Sequence, residues 1–385
     1  MRNRLVNVLA VVAVLTALSG SSALASGPVW NAAGGSALSY APNLGAWDNQ
    51  TLRQVFDLSG GGSQIRIRLT QAYSAQSAWV GHVTVGVQLS AAQTVQTPVT
   101  ATFNGSESVT VPAGGDAVSD PVSLAVVPNT RVEVSIYLPS GAHLSQAPRH
   151  DLADDVEYNY VGGDVSAVQN MPITNTFDFN TMVSGIDVYG TAATTVVAVG
   201  DSITDGLGTS VSTDTRWPNY LAGRVPGRTV VDQGIGGNRV TADQGASGLS
   251  LQNRWARDVL SQPGAVSVID ADGINDLRAG VNASVLEQAQ QALVVSAHDH
   301  GLRIVLATLT PCAGETQCTP AVQTQLQLYN SWVRAGTAGA DGVVDFYAAV
   351  NLNGSINPYY DSGDHLHLNS AGARVMADVV DTSEI

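Results

Sequence analysis

Four short polar stretches carry side chains that could do nucleophilic chemistry together: Gly200-Asp201-Ser202, Gly234-Ile235-Gly236-Gly237-Asn238, Gly273-Ile274-Asn275-Asp276 and Asp364-His365-Leu366-His367. A serine hydroxyl attacks a carbonyl only when a base takes its proton, so Ser202 needs an imidazole within reach. An aspartate and a histidine three residues apart in a turn can hydrogen-bond, which fixes the imidazole tautomer and frees its other nitrogen. Asp364 and His367 have that offset. His365 competes for the role of base with Asp361 four residues before it, but the three-residue offset favours His367. The Asn275 amide can donate to an oxyanion, and the glycines of the second stretch let backbone N–H groups approach a ligand closely. Gly237 is the expected donor, with Gly236 the neighbouring alternative. Asp201 and Asp205 flank the serine and are expected to brace its loop. Arg239, just after the second stretch, is a candidate for contacting substrate.

The first three stretches follow segments that read as buried strands, and the fourth precedes the last helix. Residues 196–199 form an unbroken apolar run, as a strand covered on both faces requires. Further runs at 229–231, 266–269, 304–309 and 343–344 alternate with helical segments. Leu286, Ala289, Leu293 and Ala297 give one of these an apolar stripe, and a last helix is expected over 369–380. The pattern predicts a five-stranded, parallel, doubly wound α/β sheet. In such sheets ligands bind outside the carboxyl ends of the strands, where Ser202 would stand. Residues 27–190 read differently. Ile65, Ile67 and Leu69 alternate with Arg66, Arg68 and Thr70, and similar alternation occurs at 83–89 and 132–138. Half-buried strands with Gly-, Ser-, Asn- and Pro-rich turns predict an antiparallel, jelly-roll-like β-sandwich. The expected division is a leader at 1–25, a β-sandwich domain at 26–190 and a catalytic domain at 191–385, the two domains packed on each other. Trp30, Trp47 and Trp79 are expected in the core of the sandwich rather than in a sugar platform.

All 17 basic residues are arginine and the formal net charge is −15. The absence of lysine excludes Schiff-base chemistry, serine–lysine dyads and the lysine-bearing phosphate loop, and the acidic surface disfavours nucleic acid and anionic membranes as partners. Arg2 and Arg4, an apolar run at 5–18 and Ala23-Leu24-Ala25 read as a secretory signal peptide, so the mature protein is expected outside the cell, starting near Ser26. That run is short for a membrane anchor, and no later one is long enough to span a bilayer. In an exported protein the close pair Cys312 and Cys318 is expected to form a local disulfide. Two cysteines alone cannot build a zinc site. His298 and His300, at a helix end, are expected to be structural.

Taken in order, GDSITDG, GIGGN, GIND and DHLH resemble the four blocks of the SGNH, or GDSL-type, hydrolase superfamily over about residues 196–381. The G-x-S-x-G elbow of ordinary α/β-hydrolases is absent. Residues 51–69 also resemble the N-terminal β module of a secreted bacterial subgroup. The resemblance implies a flavodoxin-like catalytic fold with Ser202 as nucleophile, His367 as general base and then acid, and Asp364 orienting the ring. It implies an oxyanion hole from the Ser202 and Gly237 N–H groups and the Asn275 side chain, with no metal or organic cofactor. The expected activity is hydrolysis of a carboxylic ester through an acyl-enzyme, on a small-molecule or carbohydrate substrate with a short acyl group. A lipase or phospholipase, an acyltransferase, and a non-catalytic carbohydrate-binding protein are the alternatives. The chain departs from the family at Asp232, often asparagine, at Leu368, often proline, and in the charges of Asp270 and Asp272 before GIND; these bear on fine geometry and substrate class.

Overall fold

Five apolar runs become the strands Thr194–Gly200 (β1), Arg228–Gly234 (β2), Ala265–Asp270 (β3), Arg303–Ala307 (β4) and Gly342–Val344 (β5). The structure, a computed structural model, describes residues 29–151, 156–190 and 194–385. The leader read at 1–25 lies outside the described residues, as do 191–193 at the expected domain seam. The five strands are parallel in the order β2-β1-β3-β4-β5, the doubly wound order of a flavodoxin-like sheet. Residues 196–199 on β1 are fully buried, as expected for a central strand covered by helices on both faces. Leu286, Ala289, Leu293 and Ala297 all point inward from the helix Ala283–Asp299. The last helix is Ser370–Asp378, shorter than its pattern suggested. Asn369 caps it by accepting from the Ala371 and Gly372 N–H groups, so it begins one residue later than the apolar spacing.

The N-terminal half is antiparallel. Val29–Gly34, Val183–Gly190, Gln64–Thr70 and Asp116–Val118 form one sheet, and a seven-stranded sheet centres on Gln50–Leu58, Thr130–Leu138 and His82–Ser90. Ile65, Ile67 and Leu69 face Val83, Val85, Val132, Val134 and Ile136 in one apolar core. The tryptophans divide: Trp47 packs against this core as expected, whereas Trp30 and Trp79 do not join it. On the strand Ala78–Val80, alternation sends Ala78 and Val80 inward and leaves Trp79 46% exposed. Trp30 is half-buried under the Arg66 guanidinium, and Trp47 stacks on Phe177 and Phe179.

The two halves are sewn together. Ala32 N–H donates to Pro263 O, Thr195 Oγ1 to Ala32 O and Val230 N–H to Ser59 Oγ, while Arg68 reaches Gln262 at 2.7 Å. Ala32 itself belongs to the core of the α/β half. The packing expected from the short connection is therefore present; these contacts lie at the amino ends of the parallel strands, and His150, 3.1 Å from Asp205, joins the β half to the helix that follows β1.

Candidate active site

Strand β1 ends at Gly200, and Ser202–Asp205 follows at once as a short helix capped by Asp201, whose carboxylate accepts from the Ile203 N–H at 2.9 Å. Ser202 opens this helix, so its N–H has no acceptor within the helix. The tight turn needs β2 close beside it: a Cβ on Gly234 would meet the Asp205 nitrogen at 2.2 Å, so only glycine fits. Gly237 has φ +73°, in the left-handed region, and a side chain there would strike Ser247.

The three chemical groups meet. Ser202 Oγ lies 2.8 Å from His367 Nε2, and His367 Nδ1 lies 2.5 Å from Asp364 Oδ2. Asp364 Oδ1 also accepts from the His367 and Leu366 backbone N–H groups. Burial pushes the Asp364 carboxyl up, but the His367 ring and these two N–H groups outweigh it and hold the group well below the usual carboxylate range. It is therefore ionised throughout the working pH range, and it fixes the imidazole with Nδ1 protonated and Nε2 turned to the serine. His365 turns away and pairs with Asp361 at 2.7 Å.

Asn275 reaches the same place from β3. Its Nδ2 donates to Asn238 O at 3.0 Å, and its Oδ1 accepts from Arg278 at 2.9 Å. Arg278 thus fixes which end of the amide is the donor. Arg278 is itself held by Glu315, 3.2 Å away, on the loop closed by the Cys312–Cys318 disulfide. The expected disulfide is present, and its loop braces the amide. Arg278 was not singled out from the sequence; its position three residues after Asn275 on one helix is the signal that could have found it. Arg239 is not among the cleft residues. Its guanidinium faces the Gln244 side-chain oxygen at 2.6–3.2 Å, because residues 239–250 fold back on themselves.

Ser202, Gly237, Asn275 and His367 line a cleft of about 390 Å³ with Leu207 and Arg278. A second cavity of about 430 Å³ on the seam between the halves is lined by Asp57, Asp214, Arg216 and Asp232 and touches neither Ser202 nor His367. Among the described residues no cluster of histidine, cysteine and acidic groups could hold a metal.

Residues 198–375 match the GDSL-like lipase/acylhydrolase family. The C-terminal half of this chain belongs to that family. It is a carboxylic ester hydrolase domain. No curated protein matches the sequence. Among solved structures, this chain is similar to an acetylxylan esterase from Geobacillus stearothermophilus (26% identity over 48% of this chain and 91% of that one, TM-score 0.39). It is also similar to a GDSL-like lipase from Bacteroides thetaiotaomicron (19%, 50% and 88%, TM-score 0.40) and to a lipolytic G-D-S-L protein from Veillonella parvula (19%, 48% and 95%, TM-score 0.37).

Behind the cleft the GDSL domain buries many carboxylates. Burial lifts Asp201, Asp232 and Asp270 to about 7, and Asp57 and Glu133 in the β half likewise. A carboxyl whose folded pKa exceeds its unfolded value stabilises the fold at acid pH and loses that contribution as pH rises towards the folded value. Groups held low, such as Asp364, Asp341 and Asp345, act oppositely, but only below the usual carboxylate range. The melting temperature should peak at about pH 4 and fall between about pH 5 and pH 8. A melting curve series that rises over that interval would contradict these assignments.

Proposed function

We propose that this is an exported serine esterase that removes short acyl groups from carbohydrates through an acyl-enzyme on Ser202. Ser202 Oγ attacks the ester carbonyl while its proton passes to His367 Nε2, and the carbonyl oxygen gains negative charge. The oxyanion is held by the Ser202 and Gly237 N–H groups and the Asn275 amide. Collapse breaks the acyl–oxygen bond, and the leaving alkoxide takes the proton back from Nε2. Water then repeats the sequence on the acyl-enzyme, releasing the acid and restoring Ser202. The observation that carries the mechanism is the continuous relay Ser202–His367–Asp364 at 2.8 and 2.5 Å on the floor of a cleft. Export is supported by the disulfide, which suits an oxidising compartment, and no described helix is long and apolar enough to cross a membrane.

The test is a series of 4-nitrophenyl esters from acetate to octanoate. Acetate should exceed octanoate in kcat/KM by about tenfold or more, since the small cleft is unsuited to long chains. A preference for octanoate would favour the lipase alternative. Arg278→Ala should lower kcat by about tenfold with KM nearly unchanged, because it releases an oxyanion donor rather than a binding contact. A change confined to KM would make Arg278 a substrate contact instead.

A further inference from the structure

The cleft has a wall that does not come from the GDSL domain. Ser39, His150 and Asp151, all from the β half, line it opposite the catalytic groups' own loops. His150 locks this wall in place. It is buried, with Nδ1 2.9 Å from Ala37 O and Nε2 3.1 Å from Asp205 Oδ1, on the very helix that begins with Ser202. Both ring nitrogens face acceptors, so the ring bridges the halves as an imidazolium. The adjacent residue, Asp151, is therefore set at the cleft as firmly as the serine helix itself.

Asp151 is arranged as an acceptor. Tyr40 donates its hydroxyl to Oδ2 at 2.9 Å, and Arg149 pairs with Oδ1. Arg149 in turn lies over the Phe179 ring, 4.2 Å from its centre. A carboxylate has about four lone-pair positions, so these two partners leave it able to accept from a ligand. Burial and the Asp151 charge raise the Tyr40 pKa, which keeps that residue a donor. A partly exposed carboxylate on a cleft wall repels phosphate and carboxylate groups and gives nothing to an alkyl chain, but it accepts strongly from hydroxyls.

We propose that Asp151, backed by Tyr40, is the specificity residue through which the β half recognises hydroxyl groups on the alcohol portion of the ester. The inference rests on the serine-esterase mechanism above and adds the substrate feature that the second wall selects. It gives the β half a direct part in choosing the substrate.

The test compares 4-nitrophenyl acetate, whose alcohol portion has no free hydroxyl, with a monoacetylated methyl glucoside. In Asp151→Ala and Asp151→Asn, kcat/KM for the sugar ester should fall about tenfold or more, mainly through KM, while 4-nitrophenyl acetate stays within about twofold. Tyr40→Phe should fall in the same direction by a smaller factor. Equal losses on both substrates would make Asp151 structural, and unchanged values on both would remove it from recognition; either result overturns the proposal. A wild type that cleaves 4-nitrophenyl acetate but not the sugar ester also overturns it, leaving the serine mechanism intact. Activity that survives in Ser202→Ala would instead remove the mechanism itself.

Discussion

Replacing Ser202 by alanine should reduce kcat on 4-nitrophenyl acetate by a factor of roughly 10⁴ or more while leaving the melting temperature within about 2 °C of wild type. Among the described residues the hydroxyl has one hydrogen-bond partner, His367 Nε2 at 2.8 Å, and that residue borders the open cleft. Its loss therefore strands no buried group. The helix it begins keeps its cap, because Asp201 still accepts from the Ile203 N–H. Asn275→Ala should cost less, roughly 10²–10³, since two backbone donors remain for the oxyanion. The order matters as much as the sizes. A general-base mechanism in which His367 activates water directly would keep substantial activity without Ser202, and Asn275→Ala would then be the worse of the two variants. Measuring kcat for both, with mass spectrometry to trap an acylated Ser202 in the wild type, separates these cases.

Much of the site is legible because its chemistry is local. Asp364 and His367 are three residues apart, and Ser202 and Asn275 each follow a strand that hydrophobic runs mark clearly. The parallel sheet follows from the same runs alternating with helices, while its flavodoxin-like strand order is legible only through the family resemblance. What the sequence hides are the groups brought in across long separations. His150 meets Asp205, and Asp151 meets the cleft, only because the strand Arg149–Asp151 is docked beside β1's carboxyl end. No periodicity marks such a meeting. Arg239 misleads for the same reason: its neighbourhood in sequence is the oxyanion block, yet a local fold-back turns it to Gln244. Trp79 shows the limit of residue type as a guide to burial, since strand register outweighs hydrophobicity there.

Arg254 is the residue whose loss should damage the fold most, and nothing in its surroundings along the chain announces it. It is fully buried. Nε donates to Asn238 Oδ1 at 2.9 Å, Nη1 to Gln233 O at 2.8 Å and to Asp258 at 3.1 Å, and Nη2 to Gly200 O at 2.9 Å, with Asp272 3.9 Å away. One guanidinium thus ties the ends of β1 and β2, the second block and the approach to the third, all behind Ser202. Arg254→Met keeps much of the volume but withdraws a donor from Gln233 O, Asn238 Oδ1 and a buried carboxylate, while Gly200 O keeps the Ile235 N–H. Asp258 retains Arg257, but Asp272 retains no cation within ion-pair distance among the described residues. Removing one partner of such a buried set costs about 3–5 kcal/mol, which for a domain of this size lowers the melting temperature on the order of 10 °C. The pH dependence carries the sharper signature. Burial lifts Asp270 and Asp272 above the usual range, and the Arg254 charge partly restrains both. Without it they hold their protons more tightly, so the variant should lose more stability at about pH 8 than at about pH 5, where protonation relieves the uncompensated charge. Thermal melts of wild type, Arg254→Met and Arg254→Lys at both pH values decide it. A methionine variant that melts with wild type, or whose deficit is the same at both pH values, would show that backbone hydrogen bonds alone hold the strand ends together.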